Sequence, residues 1–430
     1  MRAAASTLSS PARKLGLSLA LLLFSAAGAF AGPLQDMIDA AQEGSTIMPP
    51  AGVYVEHLTI NKALILDGSK GVILDGGGTG TVVELAASGA EIKQLTIRNS
   101  GHLHNALDAG LRIKGNFNVI KDVRLENVLF GIDLHQANNN IIRRTDIDSN
   151  DFDLEMKGDS IRLWYSNNNT IEDNLIHDAR DFSVWYSSEN IIRKNRILHG
   201  RYGIHFMYAH RNKVLDNEIA DCVVGVFLMY SNDVEVRHNK LLRAWGASGM
   251  GVGFKETSGA VIADNDIVGN AVGIYVDISP FDPEATNQFT TNRIAYNGIG
   301  VEFHTDWQGN IFKDNGFMSN FSQIVVRGGG TALREGWEGN YWDDFAGFDQ
   351  DRDGKGDSPF EIYNYADRIW MEVPDAAFFR GSFALESLDF VERLAPFSQP
   401  LLLVKEPNPL MALPVVKADE KPKSALEMLQ

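Results

Sequence analysis

Soft donor atoms gather in one stretch of this 430-residue chain, at His205, Met207, His210, Cys222 and Met229. Thioether sulfur and imidazole nitrogen together suit copper(I), so His205, Met207, His210 and Met229 are candidate copper ligands, with Cys222 a lesser one. A second candidate is Asp349-Gln-Asp-Arg-Asp-Gly-Lys-Gly-Asp357, where carboxylates at loop positions 1, 3, 5 and 9 and glycine at 6 follow calcium-loop spacing. Asp349, Asp351, Asp353 and Asp357 are the candidate calcium ligands. Position 12 is Phe360 rather than the bidentate Glu, with Glu361 beside it, and the competing reading is a solvated acidic turn. His102 and His104 share a strand face or loop; alone, the pair reads as solvated loop.

Such groups need a frame, and the frame is a repeat. Gly-Ile or Gly-Val recurs at Gly131, Gly203, Gly225, Gly251, Gly273 and Gly300. Asparagine recurs at 150, 174, 195, 217, 239, 265, 292 and 315, a period of about 22 residues. Within each unit apolar residues alternate over three short runs, and helical spacing is absent. Strands at this period close a solenoid in which each coil adds one strand to each of three parallel sheets. The fold class is all-β, a right-handed parallel β-helix over residues 32–330. Asn is expected at the corners for its tolerance of left-handed backbone, with side chains bonded from coil to coil, and glycine is expected to serve the same bends.

Aligning coils on Tyr165, Tyr186, Tyr208 and Tyr230 assigns the faces, because side chains alternate along a strand. One outward column reads His135, Trp164, Trp185, Met207, Met229, Lys255, Asp277, His304; its neighbour reads Asp133, Arg162, Ser183, His205, Phe227, Gly253, Tyr275, Glu302. An apolar stripe of Trp164, Trp185, Met207 and Met229 on an outer face implies a partner or a covering segment. Asp133, His135, Arg162 and His205 could instead supply the base and charge-neutralising group of a uronate lyase or epimerase, so a periplasmic polysaccharide-active enzyme is the alternative function. A sugar groove calls for clustered charged groups, whereas Trp and Met dominate this stripe.

A solenoid needs end caps. Leu34–Ala41 reads as an N-terminal helix, and residues 331–400 as a C-terminal cap with an aromatic-rich start at Trp337. Phe383, Leu388, Val391 and Leu394, with acidic residues between them, give an amphipathic helix suited to a partner's groove. Residues 401–430 read as a flexible tail. Residues 1–31 have a secretory signal's form, with Arg2, Arg13 and Lys14 before an apolar run and Ala29-Phe30-Ala31 at its end. The run is short for a membrane span.

The net charge of −17, becoming −20 (36 basic against 56 acidic residues) without the signal, argues against a nucleic-acid partner. The 44% hydrophobic content supports a large core, and a single cysteine excludes an intramolecular disulfide.

Several strings resemble the NosD family of periplasmic nitrous-oxide reductase maturation proteins. They are Gly158-Asp-Ser-Ile-Arg-Leu-Trp-Tyr-Ser166, Asp181-Phe-Ser-Val-Trp-Tyr-Ser187, Gly200-Arg-Tyr-Gly-Ile-His-Phe-Met-Tyr208, Gly253-Phe-Lys-Glu256, Gly339-Asn-Tyr-Trp-Asp-Asp344 and Leu388–Ser398. The resemblance implies a non-enzymatic periplasmic subunit that works with an ABC permease and its ATPase to build the copper-sulfide centre of nitrous-oxide reductase. It implies as partners that transporter, the reductase and a copper chaperone lipoprotein, with the membrane reached only through the permease. Copper would be transient and calcium a further candidate. The resemblance brings no ligand set to carry over.

Overall fold

A computed structural model describes residues 32–414, apart from Asp367, Phe397 and Ser398 and the side chains of Pro374 and Ala377. The signal expected over 1–31 lies outside the described residues. Three parallel sheets of 13, 13 and 12 strands run along the solenoid, each strand pairing with the third before and the third after it. Side-chain alternation sends one residue of each short strand inward, as in Ile142, Ile171, Ile192, Val214, Val236, Ile262, Phe289 and Phe312, all fully buried in register. Each such side chain contributes about 1.5–3 kcal/mol by leaving water, which is the main term holding the coils together.

Polar stabilisation runs along the corners. Asn174, Asn195, Asn217, Asn239, Asn265, Asn292, Asn315 and Asn340 form a buried file in which each side-chain amide donates to the next carbonyl oxygen at 2.9–3.0 Å. The expectation that Asn itself takes the left-handed conformation is corrected. The residue before it does so, as at Asp173, Lys194 and Asp216 (φ 54–56°), which turns the chain and aims the Asn inward. Asn150 is not in this file: Thr145 holds the place, donating to Asn174 at 2.9 Å, and residues 150–158 are an inserted excursion.

The recurring glycines also differ from expectation. They lie in strands, and a Cβ on Gly225 would sit 2.4 Å from the carbonyl oxygen of Gly251. Close approach of coils, not bending, requires glycine there.

At the N-terminal end, helix Pro33–Ala40 buries Leu34 and Ile38 over the first coil. The Glu56 carboxylate accepts the amide hydrogens of Leu34 and Gln35 at 3.1 and 3.0 Å, satisfying donors that a helix start leaves open. At the other end the solenoid passes the boundary expected at 330. Gly336–Glu338 and Tyr341–Trp342 are the last strands of two sheets, with Trp337 and Trp342 in the inward positions that Phe312 and Phe317 fill one coil earlier and aliphatic residues fill in most other coils. Large rings there disguise the repeat.

The flexible tail expected from 401 is corrected as well. Leu401–Glu406 pairs antiparallel with Phe360–Asn364, and the buried Glu406 carboxylate accepts from the Asn340 amide at 2.7 Å, closing the Asn file. A last Asn needs only an acceptor, which a carboxylate supplies. Glu335 closes a second file in the same way, accepting from the Asn310 backbone at 2.8 Å. Residues 415–430 are outside the described residues.

Candidate functional site

The outer face of the third sheet carries the two columns in the expected register. His135 pairs with Trp164, then Trp185, Met207, Met229, Lys255 and Asp277 along successive strands. Trp164 and Trp185 meet edge-on at 6.1 Å, and the Arg162 guanidinium lies 4.8 Å over the Trp164 ring. These side chains are half-buried because each leans on its neighbour along the stack.

Beside the stripe stands a file of tyrosines. Tyr165, Tyr186, Tyr208 and Tyr230 stack almost parallel at 4.8–5.3 Å, each at a left-handed corner with φ 49–52°. Tyr165 and Tyr208 are more than two-fifths exposed. The corner turns each ring outward, and the coil spacing sets the stack.

The second column is locked by charge. Asp133 is fully buried between Arg112 Nε (3.0 Å) and Arg162 Nη1 (2.9 Å). Ser183 donates to Asp159 at 2.8 Å, and Asp159 and Asp181 share Arg180 at 2.8 and 3.1 Å. Burial, reinforced by Asp181, holds the Asp159 carboxyl above its ordinary range. His205 packs on Tyr202 at 4.7 Å, and burial pushes its imidazole down to about 4, so the ring is neutral at ordinary pH. Asp133 and Arg162, offered above as catalytic groups, are thus bound to each other rather than turned toward a substrate.

Of the candidate copper ligands, Met207 and Met229 are paired on adjacent strands, and His205 shares the outward face of the Met207 strand. Nε2 of His205 and Nε1 of Trp185 are buried without a hydrogen-bond partner among the described residues, and their rings meet at 5.9 Å. Buried nitrogens of this kind call for an explanation. His210 lies around the corner, where its Nδ1 accepts the Asn232 amide hydrogen at 3.1 Å. Cys222 is a core thiol: burial pushes it up to about 12, and it accepts the Gly200 amide hydrogen, which removes it as a soft ligand.

In the acidic loop, carboxylate oxygens of Asp349, Asp351 and Asp353 lie within 4.8 Å of one another. Asp357 is outside that group and accepts the Gln350 amide hydrogen at 2.6 Å. Glu361 cannot stand in at position 12, being held by Lys405 at 2.9 Å and by the Tyr363 hydroxyl at 2.7 Å. His102 and His104 do not form a pair site: His102 packs on Phe152 at 5.2 Å, and His104 Nε2 bonds the Met156 carbonyl.

The C-terminal helix spans Phe383–Leu394, with Ser382 capping the Leu385 amide. It buries Leu385, Asp389 and Glu392, while Phe383, Phe390 and Leu394 are 89, 63 and 71% exposed and Val391 and Leu388 are also open. The polar residues turn inward because they meet cations on that side, Arg368 binding Glu392 at 3.1 Å. The apolar face is left outward.

Among the described residues no helix is long and apolar enough to cross a membrane. Among solved structures, the A-module of the Azotobacter vinelandii mannuronan C-5 epimerase AlgE6 is similar, with a TM-score of 0.51 and 17% identity over 68% of this chain and 89% of that one. That likeness reflects the shared β-helix. Residues 144–347 match the family described as periplasmic copper-binding protein (NosD). A curated relative from Pseudomonas aeruginosa, the probable ABC transporter binding protein NosD, is 27% identical over 94% of this chain and 97% of its own. A protein of the same description from Stutzerimonas stutzeri is 28% identical over 30% of each chain. The family match lies on the coils that carry the stripe, and the likeness to the first relative runs nearly end to end, so the chain is similar to NosD proteins over most of its length.

Proposed function

We propose that this protein is the periplasmic subunit of an ABC-type machinery that matures the copper-sulfide centre of nitrous-oxide reductase. In this reading the reductase and a copper chaperone dock on the third sheet, and the permease, with its ATPase, is held by the C-terminal helix. The observation that carries the reading is the continuous aromatic and thioether surface of Trp164, Trp185, Met207 and Met229 beside the tyrosine stack. Aromatic residues and methionine are the types enriched where proteins meet, and a half-buried file of them on an acidic protein supports a docking role.

Copper(I) is cargo in this scheme, handed on rather than kept. Its donors are the sulfurs of Met207 and Met229 with Nε2 of His205, the buried nitrogen that lacks a partner. His210 is the weaker candidate, since one ring nitrogen is already engaged. A neutral His205 fits this use, because a ligating nitrogen must be free of its proton.

Co-purification from cells that express the transporter and the reductase tests the docking. Trp164→Ala with Trp185→Ala is expected to lose the reductase or the chaperone while retaining the permease; full retention of both would refute the stripe's role. For copper, titration against a competing copper(I) chelator should show at least tenfold weaker binding in Met207→Ala with Met229→Ala, and an unchanged affinity would remove both residues from the site. The rival polysaccharide reading predicts turnover of alginate or pectate by the isolated protein. The locked Asp133–Arg162 pair leads us to expect none.

A further inference from the structure

A different group of donors lies on the outer face of the second sheet, away from the stripe. Asp146 and Asp148 flank the inward Ile147 on one strand, and His177 pairs with Asp148 on the next. Asp178 follows at a left-handed corner (φ 54°), and His199 occupies the equivalent corner one coil on (φ 58°). Ligand atoms of Asp148, His177 and Asp178 lie within 4.8 Å of one another. His177 Nδ1 is 2.9 Å from Asp178 Oδ2 and 3.8 Å from Asp148 Oδ1, while its Nε2 is 3.1 Å from Asp146 Oδ1. His199 Nδ1 is 3.3 Å from Asp178 Oδ1.

Two cations border the group. Lys157 is spent on the backbone carbonyl of Asp178 at 2.6 Å, and Arg124 reaches Asp146 only at 3.9 Å. Three carboxylates and two imidazoles therefore share one half-exposed patch. Asp146 also lines an open groove of about 820 Å³ along the same sheet, which leaves the patch reachable from solvent.

The arrangement has the parts of a metal centre in the right order. A ligating histidine commonly gives its second ring N–H to a carboxylate, which fixes the tautomer and the ring's orientation. Asp146 holds Nε2 in this way, a cation would take the place of the contact that Nδ1 makes with Asp178 at 2.9 Å, and His199 stands next to Asp178 as a further nitrogen donor. We propose that Asp148, His177 and Asp178, with His199 adjacent, bind one divalent transition cation of the zinc type, and that Asp146 is a positioning residue. Imidazole and carboxylate together select such borderline ions, whereas soft copper(I) favours the thioethers of the stripe. The site stands independently of the docking reading.

Calorimetric titration of the purified protein with zinc chloride tests the inference. The native protein is expected to take up one equivalent at this site, and His177→Gln with Asp178→Asn to bind at least tenfold more weakly at unchanged far-UV circular dichroism. Asp353→Asn and Met207→Ala with Met229→Ala should leave that uptake unaltered. Asp146→Asn should weaken it about 10-fold, the scale of lost outer-shell support. Loaded with Cu²⁺ alone, the native protein should show nitrogen hyperfine coupling that His177→Gln weakens. If the double variant fails to fold, Asp148→Asn carries the same expectation. Absence of zinc uptake by the native protein, or equal affinity in the folded variants, would overturn the proposal.

Discussion

Asn217 does four things at once. Its side-chain oxygen accepts the backbone and side-chain amides of Asn195 at 2.9 and 3.0 Å, and its own amide reaches Asn239 at 3.0 Å and the Ile192 carbonyl at 2.9 Å. Asn217→Ala would take the shared acceptor from the buried Asn195 donors and the amide from the buried Ile192 carbonyl, while the Asn239 oxygen keeps the residue-217 backbone amide at 2.8 Å. A loss of roughly 2–4 kcal/mol is expected from the urea midpoint, since each orphaned buried group costs about 1–3 kcal/mol. Asn150→Ala, outside the file, should cost under about 1 kcal/mol.

Glu335 gives a pH dependence with a definite sign. Burial, only partly offset by hydrogen bonds from Asn310, raises its carboxyl from 4.5 to about 7. Between those values the folded chain binds more protons than the unfolded one, so this group's contribution falls as pH rises from about 4.5 to about 7. The full swing is on the order of 3 kcal/mol at most. Glu335→Gln should flatten this part of the stability profile, and unfolding midpoints of both proteins at pH 5 and pH 8 would show whether it does.

At the scale of elements, alternation and period made the strands and faces legible. A two-residue alternation counted from Tyr165, Tyr186, Tyr208 and Tyr230 placed both outward columns in the register observed. What composition hides is the job a residue does within the element. Glycine in Gly225 reads as a bend but serves coil approach, and Trp337 reads as a new segment but is the inward residue of a last coil. The group of Asp148, His177, Asp178 and His199 has no motif along the chain, because apart from the neighbours His177 and Asp178 its members join only across stacked coils. The calcium-like loop shows the converse, since spacing brought three carboxylates together and left Asp357 elsewhere.

The C-terminal helix allows an element-scale prediction. Its exposed Phe383, Phe390 and Leu394 add nothing to the fold on the solvent side. Replacing Phe383 and Leu394 by Ser should therefore change stability by no more than about 0.5 kcal/mol. The same change should abolish retention of the permease on affinity purification if that face is the docking surface. Intact retention would separate the helix from the transporter.

For the whole molecule, the decisive property is that each coil touches only its neighbours, so stability is set along one dimension and failure begins at an end. The N-terminal end is sealed by the helix Pro33–Ala40. The C-terminal end depends on Leu401–Glu406 returning over the last coil, where Glu406 takes the Gly339 amide at 3.0 Å and the Asn340 side chain at 2.7 Å. Glu406→Ala would leave the terminal rung of the Asn file with unmet donors beneath a strand that has lost its anchor. Amide exchange should then quicken in Gly336–Glu338 and Tyr341–Trp342, fade over the next one or two coils, and remain native around Ile171 and Ile192. A uniform rise along all coils would mean that the solenoid unfolds as one unit and that its end closure is not what limits it.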